Sequence, residues 1–99
     1  MKKILLVCNA GMSTSLLVTK MSAAAKEQGI ETEIWAVPSS EFVENVQKAD
    51  VCLVGPQIRF MVGQFSKQTE KPVEAIDMVA YGKMDGAAVL KRALDILDK

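Results

Sequence analysis

The chain has 99 residues, a length that sets one domain spanning 1–99 as the expectation rather than two. Apolar residues make up 49% of it, well above the disordered range, so a packed interior is expected. Twelve basic and 12 acidic residues give a formal charge of zero, and no polybasic run is present, which argues against nucleic acid or an acidic membrane surface as the partner.

In chain order, Lys3 to Cys8 is a continuous apolar run, the pattern of a strand buried on both faces. With Lys2-Lys3 before it, the run looks briefly like the start of a signal peptide, but it ends at Cys8-Asn9, far short of an h-region. No stretch approaches the roughly 20 apolar residues of a membrane span. The expected location is the cytoplasm.

From about Ser13 to Gln28 the pattern is helical, with Leu17, Met21, Ala24 and Ala25 on one stripe and Gly29 as the stop. Glu31 to Ala36 reads as a more polar strand at a sheet edge. Pro38-Ser39-Ser40 breaks the chain, and a Ser hydroxyl is expected to cap a helix from Glu41 to about Lys48. Val51 to Val54 is a second buried strand closed by Gly55-Pro56, and Ile58, Met61, Val62 and Phe65 predict a third helix. Pro72 precedes a fourth strand, Val73 to Ile76. Leu90, Ala93, Leu94 and Leu97 mark a last helix, with Asp85 as its cap and Gly82 as a permissive backbone position before it.

Four βα units of this length predict an α/β fold, a single open four-stranded parallel sheet with helices on both faces and strand order 2-1-3-4. Ligand sites in such sheets lie beyond the carboxyl ends of the strands, so three loops matter: Cys8 to Thr14, Gly55 to Gln57, and Asp77 to Met84. Asp77 and Tyr81 follow the fourth strand on this rim, with no role assigned. Gln57 is a possible contact in a segment whose main task is a turn.

The chain has no histidine, which excludes Ser-His-Asp and Cys-His catalysis, histidine-based zinc sites and a phosphohistidine carrier within one chain. Its two cysteines, Cys8 and Cys52, are too distant for a CxxC motif, and no metal or cofactor is expected. Cys52 lies inside an apolar strand and reads as core. Cys8 ends a strand and leads through Asn9, Ala10, Gly11, Met12, Ser13, Thr14 and Ser15 into a helix. Small residues there let backbone N–H groups converge, and a helix N-terminus adds a positive field. Such a site binds an anion and favours a thiolate nucleophile, so Cys8 is the candidate catalytic residue and residues 9–15 the candidate phosphate cradle. Ser13, Thr14 and Ser15 add hydroxyl donors.

The order strand, Cys-loop, helix is also that of the low-molecular-weight tyrosine phosphatases. Their loop carries an Arg six residues after the Cys, where this chain has Thr14. Without that guanidinium fork a hydrolase is the weaker reading, and a carrier that hands the phosphoryl group on is the stronger. A non-covalent anion-binding module, in which Cys8 would be dispensable, is the third.

The segment Val7-Cys8-Asn9-Ala10-Gly11-Met12-Ser13-Thr14-Ser15-Leu16-Leu17-Val18 resembles the active-site segment of lactose/cellobiose-type IIB components of the bacterial phosphoenolpyruvate-dependent sugar phosphotransferase system. The likeness continues at Ala49-Asp50-Val51, Gly55-Pro56-Gln57-Ile58, Lys71-Pro72-Val73 and Tyr81-Gly82-Lys83-Met84-Asp85-Gly86, and so covers essentially the whole chain. The resemblance implies a cycle in which Cys8 accepts phosphate from a phosphohistidine on a IIA component. It then phosphorylates a sugar, a β-linked disaccharide such as cellobiose, chitobiose or lactose, bound by the membrane component IIC. Donor and acceptor then lie on other proteins, which accounts for a chain without histidine. Met12, Met78 and Met84 are candidates for an adaptable docking surface, whereas Met61 falls on a core stripe and Lys91, Arg92, Asp95 and Asp98 on a solvated face.

Overall fold

Ile4, Leu5, Leu6 and Val7 are completely buried, because the strand that carries them has a neighbour at each edge and helices on each face. The computed structural model describes residues 1–8 and 11–98, and of 11–13 the backbone alone. Strands β1 (Lys2–Cys8), β2 (Thr32–Pro38), β3 (Val51–Val54) and β4 (Val73–Ala75) form one parallel sheet in the order β2-β1-β3-β4. This is the expected α/β architecture and strand order.

Alternation along β1 divides the interior in two, since successive side chains point to opposite faces. Ile4 and Leu6 pack with α1 (Gly11–Glu27), α4 (Met78–Gly82) and α5 (Gly86–Leu97) through Leu17, Met21, Ala80, Val89 and Leu90. Leu5 and Val7 pack with α2 (Phe42–Val46) and α3 (Val62–Ser66) through Phe42, Val46 and Phe65, and with Ile58 from the segment before α3. The Phe42 and Phe65 rings stack with centroids 4.1 Å apart, joining the two short helices of that layer. Such a pair adds about 0.5–1.5 kcal/mol beyond the area it buries.

Several element ends differ from the sequence expectation. Helix α1 begins at Gly11 rather than Ser13, so the latter part of the anticipated loop is already helix. It ends as anticipated at Gly29 (φ +69°), where Ile30 N–H donates to the Ala25 carbonyl and Gly29 N–H to that of Lys26. Those two bonds satisfy carbonyls that a helix end leaves open.

The expected serine cap is absent. Pro38 is the last residue of β2, at the sheet edge where a missing N–H costs no ladder bond, and the chain passes straight into a 3₁₀ turn at Ser39–Glu41. That turn supplies its own i→i+3 bond, Phe42 N–H to the Ser39 carbonyl, and no side chain caps α2. Asn45 does the anchoring: its amide donates to the Glu41 carbonyl at 2.8 Å and its oxygen accepts from Trp35 Nε1 at 3.0 Å.

The stripe from Ile58 to Phe65 does not lie on one helix. Residues Pro56–Met61 form a 3₁₀ segment interrupted at Ile58 (φ −122°, ψ 28°), and α3 follows. The apolar spacing survives the kink because both Ile58 and Phe65 still reach the same core. Nor is Gly82 the permissive position. Helix α4 runs through Gly82, and the left-handed residue is Met84 (φ 52°). The bonds Asp85 N–H to Ala80 O and Met84 N–H to Tyr81 O close that turn, and Asp85 then caps α5, as expected, by accepting from Ala88 N–H at 3.1 Å.

Arg92, expected on a solvated face, reaches across to β4 and grips Glu74 with two 2.7 Å bonds. Among the described residues, no helix is long and apolar enough to cross a membrane.

Gly86 is the glycine on which the packing turns. A Cβ there would lie 2.6 Å from the main-chain nitrogen of Met21 and closer still to the carbonyl carbon of Lys20, so α5 approaches α1 only without a side chain. Gly86→Ala should therefore cost about 1–3 kcal/mol, seen as a lower urea midpoint. Gly82→Ala, where nothing lies within 4 Å, should be neutral or slightly stabilising.

Candidate active site

Cys8 is the last residue of β1, at the carboxyl edge where the ends of β3 and β4 also lie. It is buried, with 5% of its surface exposed. Gly55 extends β3 beside it, its N–H donating to the Val7 carbonyl at 2.7 Å. A Cβ on Gly55 would stand 3.6 Å from the Cys8 sulfur and 3.1 Å from Gln57 Oε1. The second loop thus lies against the sulfur, with the Gln57 amide at the same corner. The turn reading for Gly55-Pro56 holds: Ile58 N–H bonds the Gly55 carbonyl, with Pro56 opening the 3₁₀ segment.

Of the proposed cradle, Asn9 and Ala10 lie outside the described residues. Gly11, Met12 and Ser13 form the first turn of α1, a helix of 17 residues. First-turn N–H groups have no intrahelical acceptor and carry the positive end of the helix dipole, and no acidic residue occupies this turn. Thr14 is the next residue and is almost wholly buried, at 1% exposure. Its hydroxyl lies 3.4 Å from that of Tyr81, so Thr14 faces inward. Ser15 is exposed, and its carbonyl accepts from Thr19 Oγ1 at 3.2 Å.

Tyr81 is the residue whose place the sequence left open. Asp77 caps α4 by accepting from Ala80 N–H at 3.0 Å, and the short helix presents Tyr81 to the interior. Its hydroxyl lies 3.9 Å from Cys8 Sγ, within hydrogen-bond reach for sulfur. The sequence signal was a tyrosine two turns' length from the fourth strand, insufficient by itself to say which way it pointed.

Cys52 supplies the contrast. It is completely buried in β3, and desolvation pushes its thiol up from 9.0 to about 12. A thiol held protonated there is inert packing, as the sequence indicated.

The segments that follow β3 and β4 on this rim expose polar side chains, Gln57, Arg59 and Asp77, and apolar ones. Phe60, Met78 and Val79 are 78%, 60% and 62% exposed, on the segments that follow β3 and β4. Arg59 donates to the Met78 sulfur at 3.4 Å and draws those two segments together. Met78 was anticipated on such a surface, whereas Phe60 and Val79 were not. Met84 instead packs against the core. Among the described residues, no group of three or more Cys, Asp or Glu side chains is placed to hold a metal ion.

Residues 3–92 match the family model described as "PTS system, Lactose/Cellobiose specific IIB subunit". The chain belongs to the lactose/cellobiose-specific IIB family. It is therefore a IIB component of the sugar phosphotransferase system, and IIB components act as phosphotransferases that pass phosphate to the sugar. Similar proteins include the oligo-beta-mannoside-specific EIIB component of Bacillus subtilis, 48% identical over 98% of this chain and 97% of that one. The cellobiose-specific EIIB component of Lactococcus lactis is 42% identical over the same shares, 98% and 97%. The solution structure of a cellobiose-specific IIB component from Borrelia burgdorferi superposes with a TM-score of 0.82 at 38% identity, covering 98% of this chain and 92% of that one. A lactose-specific IIB domain from Streptococcus pneumoniae has the same fold, with a TM-score of 0.85, 95% of both chains covered and 14% identity.

The two thiols should separate experimentally. Cys52 should resist iodoacetamide until the protein unfolds. Its raised folded-state pKa also sets a sign. Above 9.0 the unfolded chain releases the Cys52 proton while the folded chain keeps it up to about 12, so the unfolded state binds fewer protons than the folded one and stability falls as pH rises through that window. Urea midpoints below and above 9.0 should decline less for Cys52→Ala than for the wild-type chain.

Proposed function

We propose that this IIB component works as a covalent phosphoryl carrier, one domain over residues 1–99, with the Cys8 sulfur as the atom that is loaded and unloaded. The observation that carries the reading is the position of that sulfur. It ends the central strand, beside Gly55 and before the N-terminus of α1, where an anion is stabilised by unpaired N–H donors and the helix dipole.

In the loading step the Cys8 thiolate supplies an electron pair to the phosphorus of a IIA phosphohistidine. The S–P bond forms as the P–N bond breaks, and the imidazole keeps that pair. In the unloading step a hydroxyl oxygen of the sugar bound by IIC attacks phosphorus. The S–P bond breaks, its electron pair returns to the Cys8 sulfur, and the hydroxyl proton passes to a base outside this chain. Backbone N–H groups of the segment from Asn9 to Ser15 hold the phosphoryl oxygens in both steps. Thr14 stands on the inner side of this cradle with its hydroxyl turned toward Tyr81.

Both partners must reach the same sulfur, so both must dock on the rim that surrounds it. Phe60, Met78 and Val79 present apolar area there that the fold itself does not cover, suited to two partners used in turn. The setting is the cytoplasmic side of the membrane, where IIC presents its sugar. The oligo-beta-mannoside and cellobiose in the names of two relatives support a β-linked disaccharide or short oligosaccharide as the acceptor, while a third relative is named galactose-specific.

Labelled phosphoenolpyruvate and the donor proteins as far as IIA should place phosphate on the wild-type chain and on Cys52→Ala, and none on Cys8→Ser. A Cys8→Ser chain labelled to the wild-type level would refute the assignment.

A further inference from the structure

The ring of Tyr81 lies in the apolar layer with Leu17, Ile76, Ala80 and Val89, where a phenylalanine would fill the same space. Its hydroxyl leaves that layer and stands between two other buried groups, 3.9 Å from Cys8 Sγ and 3.4 Å from Thr14 Oγ1. Exposures of 5%, 1% and 7% for Cys8, Thr14 and Tyr81 mean that bulk water offers little competition for these bonds. A buried hydroxyl costs free energy unless it is partnered, so this one is held by what it bonds.

Proton counting gives the line a direction. A thiolate has no proton to give, and a phenol has one proton and spare acceptor capacity. When Cys8 carries negative charge, Tyr81 must donate to it, and the Thr14 hydroxyl then donates to the Tyr81 oxygen. The direction runs Thr14 to Tyr81 to Cys8. Resting on the carrier reading above, we propose that Tyr81 is a second residue of the reaction, the hydrogen-bond donor that stabilises the Cys8 sulfur as attacking and leaving group, with Thr14 as its positioning residue. When the S–P bond breaks, the electron pair left on sulfur meets the Tyr81 O–H. The phenol keeps its proton throughout. Asp77 contributes indirectly, since its cap holds the first turn of the five-residue helix that carries Tyr81.

The test uses the full chain carrying Cys52→Ala, so that only the Cys8 thiol is read. Removing a charge-assisted bond at this length should slow phosphoryl return from phospho-Cys8 to IIA about tenfold in Tyr81→Phe. The IIA concentration for half-maximal rate should not change, because the phenol is buried and not on the docking rim. Alkylation of the unphosphorylated protein by iodoacetamide at neutral pH should slow about threefold. The smaller factor reflects the higher intrinsic nucleophilicity of a less stabilised thiolate, which offsets part of its lower abundance. Thr14→Val should produce a smaller loss, and the double variant should be no slower than Tyr81→Phe alone. Urea unfolding verifies that each variant is folded.

Wild-type rates for both reactions in a folded Tyr81→Phe would overturn the assignment. Slower transfer with unchanged alkylation would also overturn it, and would put the hydroxyl on the phosphoryl group instead of the sulfur. A parent chain that accepts no phosphate from IIA would refute the carrier reading instead, while alkylation would still measure the Tyr81 bond.

Discussion

The two-sided burial of β1 is the constraint from which the rest of the structure follows. Four consecutive residues, Ile4 to Val7, are completely buried, two on each face of the sheet. Neither layer of helices could be removed without exposing about half of that strand, and truncating one such leucine typically costs about 2–5 kcal/mol. A strand buried on both faces also has to satisfy its main-chain groups in the sheet, which places β2 on one edge and β3 on the other. Cys8 is where this strand ends. In the proposed carrier role, a sulfur at the end of a doubly buried strand would meet both reaction partners with the same geometry.

Function then collects where several chain segments finish their packing tasks. Gly55 follows β3 and lies against the Cys8 sulfur. The cap at Asp77 starts α4, and the left-handed turn at Met84 ends it, fixing a five-residue helix that would be marginal alone. Gly86, immediately after, lets α5 close on α1. That chain of local decisions carries Tyr81 to the sulfur. None of these residues is assigned a chemical step in the proposed cycle, yet each determines what surrounds Cys8.

The carrier reading also gives a physical sense to what the chain lacks. A phosphatase needs the intermediate to react with water, and an arginine fork that stabilises the transition state serves that end. A carrier needs an intermediate that persists until the acceptor arrives. Thr14 in the position of that arginine, turned inward toward Tyr81, suits the second requirement. The exposed Phe60, Met78 and Val79 suit it too, because a docked partner would exclude water at the moment of transfer.

Much of this was legible in the residues. The unbroken run to Cys8 specified a doubly buried strand, the spacing of Leu17, Met21, Ala24 and Ala25 specified the core face of α1, and Gly29 and Asp85 marked ends whose chemistry is local. These succeed because strand burial, helix periodicity and capping depend on neighbours close in sequence. The misses share the opposite cause. Ile58 to Phe65 kept helical spacing across a kink, since a core selects which side chains point inward and is indifferent to the backbone between them. Pro38 stayed in its strand because an edge position spares it a bond, which depends on where the strand falls in the sheet. Gly86, not Gly82, was indispensable, because the clash is with a helix some 65 residues earlier in the chain. By itself, the sequence determined the sheet, its central strand, the cysteine at its end and the family. Only the tertiary structure decided that Thr14 turns inward and that Tyr81, 73 residues from Cys8, reaches its sulfur, because long-range packing sets those directions and local spacing does not.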